Sequence, residues 1–436
     1  MVPTLRLIRL LALGAPLWLL GLLVPGGWLP GALYLALIAV LCARDLRGIP
    51  PARELSARRE MPPRFSLDQE HPLRLVIANR SRYPIHARVR DELNERFELT
   101  SAIPQGEIPA TGEARLSYRV RPLRRGAHRL GDVVLRARGP LGLVERQIRL
   151  GLSDTVKVYP NFRGVDHYQL LAKIDQREEA ARRPRRTKAP GTDFESLRPY
   201  VRGEDLKNID WKATARRGAL ISRNRQVEKG QQLAILVDTG RLMGATIGRY
   251  SRLEHALSAT VMLSFVAHKR GDALAVGCFS NRVEAFLPPV RGPALVPRVL
   301  ETIYAVQAQP VESDYWQGIA QVMSMLRRRS LVILLTDVLD ASGSAGLINN
   351  LARAAAKHLV LCVVLVEPRV RAIADSIPES VGDAYRKAAA ADLLRRRRLA
   401  LERMRARGIL ILETDPEHLS VHLVRRYLEI RQADLQ

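Results

Sequence analysis

The stretch "LAILVDTGRLMG", residues 233–244, decides how the second half of this chain is read. An apolar strand ends in Asp238, and the loop behind it runs Thr239-Gly240-Arg241-Leu242-Met243. Working outward, four more runs of the same kind follow: "ALAVGCFS", "LVILLTDV", "LVLCVVLVE" and "ILILET". Near-continuous apolar strands require cover on both sheet faces, as in a doubly wound, mostly parallel sheet. Helix-period runs between them predict helices near 251–270, 293–308, 314–328, 343–357, 378–407 and 416–433. "NRVEAFLPP" reads as an antiparallel edge strand. Residues 231–436 are therefore expected to form an α/β domain. Ligands of such sheets bind beyond the carboxyl ends of the strands. Asp238 and Asp337 each end a strand and fall at that edge.

Upstream, the period changes to two. "HPLRLVIANRSRYPIHARVRDEL" and "ARLSYRVRPLRRGAHRLGDVVLRARGPLGLVERQIRL" alternate apolar and polar residues, punctuated by Gly, Pro and Asn. Residues 54–160 are expected to form a small all-β sandwich. Residues 161–230 read as a basic linker followed by a charge-laced segment. From Leu10 to Ala43 no side chain is charged, and "PGGWLPG" interrupts the run. Residues 1–47 thus predict a transmembrane helical hairpin. Arg6 and Arg9 precede it, Arg44, Arg47, Arg53, Arg58 and Arg59 follow, and the turn carries no charge. The positive-inside rule then puts both flanks and the bulk of the chain in the cytoplasm, at a bacterial inner membrane. The rivals are a cleaved signal peptide and a single signal anchor; no A-x-A-like site closes the first apolar run.

The formal net charge of +25 calls for an anionic neighbour. Nucleic acid is the weaker choice, because aromatics make up only 5% of the chain and no recognition motif is present. The cluster Arg395, Arg396, Arg397 and Arg398 reads as a solvated helix face, with anionic lipid as its alternative partner. Cys42, Cys278 and Cys362 form neither a disulfide framework nor a CxxC pair, which points to a reducing compartment.

The Asp238 loop opens like two known sites. Asp-Thr-Gly carries the catalytic carboxylate of aspartic proteases, but those need two such carboxylates in β lobes. A von Willebrand A metal site begins with Asp at a strand end and Ser at the second and fourth positions after it. Here those positions are Gly240 and Leu242, which offer no oxygen side chain. Asp238, Asp337 and Ser313 remain as candidate ligands of a degenerate site, with Mg²⁺ the ion such oxygens suit. The plain alternative is that both aspartates cap loops and helix N-termini. No GxSxG, HExxH, GxxxxGK[ST] or GxGxxG occurs. His418 and His422 are four apart in a helix without a third ligand nearby.

The segment before the strand is the most informative. "PGTDFESLRPYVRGEDLKNIDWKATARRGALISRNRQVEKG" interleaves acidic and basic residues around Trp211. It closely resembles the signature of the family called domain of unknown function 58. The matching positions include Gly191, Phe194, Leu197, Arg198, Tyr200, Gly203, Asp205, then Ile209, Asp210, Trp211, Lys212, and on to Ala213, Ala215, Arg216 and Glu228. "PLRRGAHRLGDVVLRARGPLGL" is similar to the family's upstream pattern. The resemblance implies a membrane-anchored protein with a β domain and a von Willebrand A-like domain. It also implies a partner of the MoxR-type AAA+ ATPase class and no established enzymatic activity. Members often carry Asp-x-Ser-x-Ser where this chain has Asp-Thr-Gly-Arg-Leu.

The sequence therefore leads to a non-enzymatic membrane adaptor. Its partner-binding candidates are Arg198, Tyr200, Asp205, Asp210, Trp211, Lys212 and Arg216. No small-molecule substrate is expected. The alternatives are a divalent-metal-dependent enzyme or binding module using Asp238 and Asp337, and a basic protein that binds nucleic acid or anionic lipid.

Overall fold

A computed structural model describes residues 2–19, 28–161, 193–199, 209–226, 231–326, 328–338 and 345–434. The chain divides into two compact units, Met1–Asn161 and Phe162–Gln436.

The first unit opens with helices α1 (Leu5–Leu19) and α2 (Leu29–Arg47). They pack antiparallel: the Tyr34 hydroxyl donates to the Leu10 carbonyl at 2.7 Å, and Gly31 lies against the Trp18 ring. Among the described residues one stretch, Leu29–Glu54, is long and apolar enough to cross a membrane, with mean hydropathy 1.7 and 17% buried. The sequence predicts two such helices. The described part of α1 has 15 residues. Among the described residues α2 alone meets the length that a hydrocarbon core about 30 Å thick requires at about 1.5 Å per residue.

The rest of this unit is β-rich. One sheet orders Val2–Pro3, Val144–Leu150, Val133–Arg138, Ile85–Asp91 and Gln105–Ile108. A second orders Leu55–Glu60, His71–Asn79, Gly112–Pro122 and Phe97–Leu99, and a third Phe65–Ser66, Asp154–Tyr159 and Gly126–Leu130. Pairing is antiparallel except between Phe65–Ser66 and Asp154–Tyr159. Alternation works as read: Leu73, Leu75 and Ile77 are buried on one face of their strand, as are Ile85, Ala87 and Val89. The Arg59 side chain is buried and ties the three sheets, with Nε donating to Asp91 at 3.0 Å and Nη1 to Asp154 at 2.9 Å.

The second unit is built on a six-stranded sheet. Its strands are β1 (Gln232–Asp238), β2 (Ala273–Phe279), β3 (Val283–Val290), β4 (Leu331–Thr336), β5 (Leu359–Leu365) and β6 (Leu410–Thr414). Their order is β3-β2-β1-β4-β5-β6, all parallel except the edge strand β3. Its helices are α3 (Trp211–Arg217), α4 (Arg252–Arg270), α5 (Leu295–Ile303), α6 (Tyr315–Met325), α7 (Ala345–Ala355), α8 (Pro368–Asp375), α9 (Val381–Ala406) and α10 (Leu419–Asp434). Both sheet faces are covered. Ala234, Leu236, Val332, Leu334, Val360 and Cys362 pack with α6, α7 and α9. The intervening Leu233, Ile235, Ile333 and Leu361, equally buried, turn to the side of α4, α5 and α10. The helix read over 378–407 begins at Val381 and is preceded by the separate α8, which starts at a Pro.

Candidate functional site

Chain direction sets where a site can form. From β1 the chain moves to β2 and β3 on one side, then crosses back to β4 on the other. The switch lies between β1 and β4, and their carboxyl ends deliver Asp238 and the pair Thr336-Asp337 to one edge.

Asp238 is 2% exposed and fully engaged. Its Oδ1 accepts from the Ser313 hydroxyl and from the Gly240 backbone N–H at 2.8 Å. Its Oδ2 accepts from the Thr336 hydroxyl at 2.6 Å and the Tyr315 hydroxyl at 3.1 Å. Three hydroxyls thus surround the carboxylate, although the two loop positions expected to supply them are Gly240 and Leu242. They arrive from another loop, from α6 and from β4. A Cβ on Gly240 would stand 2.1 Å from Ser313 Oγ, so the serine occupies the space that a side chain at 240 would need. The loop is pinned on both sides: Thr239 N donates to Phe279 O at 2.8 Å, and Arg241 N to Val311 O at 2.9 Å. Burial, with Asp238 beside it, raises the Tyr315 phenol above its ordinary range, so it stays a donor.

Asp337 is held by charge. Arg252 Nη1 lies 2.6 Å from Oδ2 and Arg397 Nη2 3.1 Å from Oδ1, with the Val338 N–H on Oδ1 at 2.9 Å. Arg252 also reaches Glu367 at 3.3 Å, and Arg397 donates to the Leu365 carbonyl. Both guanidiniums are buried. Burial lowers the Arg397 pKa, and Asp337 opposes that shift. Arg252 opens α4 on one face of the sheet and Arg397 sits in α9 on the other, so Asp337 clamps helices from both faces.

This donor set does not fit a divalent cation. Two guanidiniums fill the positions next to Asp337 that the ion's positive charge would take, and every oxygen of Asp238 already accepts from a neutral donor. Among the described residues no group of three or more His, Cys, Asp or Glu is arranged to hold a metal. His418 and His422 stack at 5.8 Å, but His418 bonds Asp415 and His422 bonds Thr414. Burial pushes the Cys362 thiol up to about 12, so it is no nucleophile at neutral pH. The three cysteines form no disulfide.

The signature segment divides by role. Tyr200 and Asp205 lie outside the described residues. Arg198 stands on the strand Asp193–Pro199, opposite Ser222 of Ile221–Gln226. Asp210 is buried and caps α3, its carboxylate accepting from the N–H groups of Lys212 and Ala213 at 3.0 Å each. Trp211 is 67% exposed, and Lys212 and Arg216 are exposed beside it. Gly218 ends the helix in the left-handed region, φ +66°. In the arginine cluster, Arg395 and Arg396 are exposed and pair with Asp392, and Arg398 is exposed. Arg397 departs from the expected solvated face, since it is buried on Asp337.

Four contributors were not anticipated from sequence, the first being Arg252, which pairs with Asp337. Thr336 and Tyr315 were legible only as neighbours of residues already singled out, in "LLTD" and "SDYW". Trp316 is 51% exposed, with the Arg353 guanidinium 4.1 Å over its ring.

Residues 196–395 match the family model described as "Protein of unknown function DUF58". Similar curated proteins include the uncharacterized YeaD of Bacillus subtilis (strain 168), 24% identical over 221 residues, 49% of this chain and 55% of that protein. Another is the uncharacterized Rv1480 of Mycobacterium tuberculosis, 23% identical over 182 residues, 41% of this chain and 56% of that protein. The chain spans about half the length of these relatives. A solved cupredoxin domain of amoB from Nitrosocaldus yellowstonii matches at 11% identity over 25% of this chain and 89% of its own, with TM-score 0.19. A native alpha-2-macroglobulin fragment from Escherichia coli matches at 23% over 24% of this chain and 16% of its own, with TM-score 0.20. Scores this low carry no argument.

Proposed function

Residues 196–395 match a family described only as of unknown function, so the role has to be read from the chain's own surfaces, and we propose that it is a non-enzymatic membrane-anchored adaptor. In this reading the N-terminal helices cross the bacterial inner membrane as a hairpin, and the bulk of the chain lies in the cytoplasm. The α/β unit is von Willebrand A-like, and it docks a protein partner. The strand order, the antiparallel edge and an aspartate closing the first strand at the switch point support that relationship.

The observation that carries the docking reading is Trp211. A tryptophan 67% exposed, flanked by Lys212 and Arg216 on a helix fixed by the buried cap Asp210, is the composition of an interface anchor. The sheet edge supports binding over chemistry, because both oxygens of Asp238 already accept hydrogen bonds and Asp337 is paired with two guanidiniums. The family resemblance supplies the partner class, a MoxR-type AAA+ ATPase.

The test is co-purification of the tagged full-length chain from detergent-solubilised, nuclease-treated membranes, with wild type and Trp211→Ala in parallel. The expected result is a stoichiometric ATPase that stays with wild type and is lost from Trp211→Ala, at unchanged melting temperature. Equal recovery with both chains would remove Trp211 from the interface, and no ATPase with either would remove the partner. Asp210→Arg is unsuitable here, since it would uncap α3.

A further inference from the structure

We propose that the carboxyl end of α2 and the loops packed around it form a collar that binds anionic phospholipid headgroups. The proposal rests on reading α2 as a membrane span.

The collar is fixed by Asp45, in the last turn of α2 and wholly buried. Its carboxylate accepts the N–H groups of Leu141, Leu143 and Val144 at 2.6, 2.7 and 2.9 Å. Thr4, just before α1, donates its hydroxyl to the Gly142 carbonyl at 2.7 Å. The start of α1 and the end of α2 are therefore fastened to the same loop, 139–143. The contact is close enough to exclude side chains: a Cβ on Gly139 would meet Asp45 Oδ1 at 2.2 Å, and one on Gly48 would meet Pro140 Cδ at 2.5 Å.

No tether follows the helix. Gly48, Ile49 and Pro50 are buried, a single turn spans Ala52–Glu54, and Leu55 begins a strand opposite Asn79. Arg80 N donates to Glu54 O at 2.9 Å, which brings the turn 80–84 to the same end. If the last turn of α2 lies at headgroup level, these loops lie there too.

Their chemistry suits that position. Arg44, Arg47, Arg53, Arg80 and Arg82 are exposed and have no carboxylate partner among the described residues. The acids of these segments are Asp45, already engaged by backbone N–H groups, and Glu54. Tyr83 is 51% exposed and its carbonyl is held by Asn79 at 2.9 Å, an amphipathic ring set for a membrane interface. Five unneutralised guanidiniums around the foot of a span match the phosphodiesters of an anionic leaflet.

The test uses the full chain in detergent, incubated with equal amounts of phosphatidylglycerol and phosphatidylcholine and then read by native mass spectrometry. Wild type should retain phosphatidylglycerol several-fold over phosphatidylcholine. The triple variant Arg53→Gln, Arg80→Gln, Arg82→Gln should bring that ratio toward one at unchanged melting temperature, and the corresponding triple lysine variant should keep most of it. No preference in wild type, or a preference untouched by the glutamine variant, overturns the collar. Alkaline carbonate extraction of wild-type membranes reads the span separately: release of the chain would sink the membrane anchor itself.

Discussion

Asp238 and Asp337 close neighbouring strands at one sheet edge, and they are held in opposite ways. Asp238 sits in a cage of neutral donors, three hydroxyls and one peptide N–H. Asp337 sits between two guanidiniums drawn from helices on the two faces of the sheet. The difference separates two jobs that a bound cation could do at such an edge. Hydroxyls orient a loop without cancelling charge, while arginines cancel charge and hold helices. The chain does both with its own side chains.

That division can be broken at several points. The largest effect belongs to Arg397→Ala, which leaves Asp337 with one cation and removes a clamp on α9. Breaking a buried ion pair from one side costs about 3–5 kcal/mol. Urea unfolding of the full chain in detergent should show a loss of that order, and Asp337→Asn combined with Arg397→Met should recover part of it. A loss below about 1 kcal/mol would mean that the pair is solvated and the contrast with Asp238 is false.

Next comes Gly240→Ser, which places a hydroxyl at a loop position that has no side chain. If the cage is complete without it, the added side chain collides with Ser313 and costs about 1–3 kcal/mol. Adding Ser313→Gly should return most of the loss. A stabilising Gly240→Ser would show instead that the cage has room.

Tyr315→Phe should be the mildest change, about 0.5–1.5 kcal/mol, because Thr336 still serves the same oxygen. It also has a pH signature. The folded phenol is held above its ordinary value of 10.0, first by burial and then by Asp238. Above about pH 10 the unfolded chain releases this proton and the folded chain keeps it, so stability falls as pH rises. The variant should lose stability less steeply over that alkaline limb. An unchanged slope would place Tyr315 in solvent.

Much of the α/β unit was legible because a strand buried on both faces is a run of apolar residues, and each quoted run became a strand of the sheet. The antiparallel edge strand showed itself by its alternation. The cage around Asp238 was not legible, because Ser313 and Thr336 stand 75 and 98 residues away in sequence. Arg397 was hidden among four arginines, yet a signal existed. It lies seven residues after Ala390 and four before Leu401, both buried, on one stripe of α9. Charge argued for solvent, and periodicity, the better guide here, argued for the core. α8 escaped because eight residues carry little more than two helical periods.

Gly240 and Ser313 have a consequence for how this site can drift among related chains. One position is empty so that the other can fill it. A side chain at 240 meets the Ser313 hydroxyl, and shrinking Ser313 removes one of the two hydrogen bonds to Asp238 Oδ1 while the Gly240 N–H keeps the other. Relatives that carry serine at the position of Gly240 should therefore have lost the side chain at the position of Ser313, and chains with both should be rare. In this chain the hydroxyl beside Asp238 Oδ1 comes from Ser313 and not from position 240.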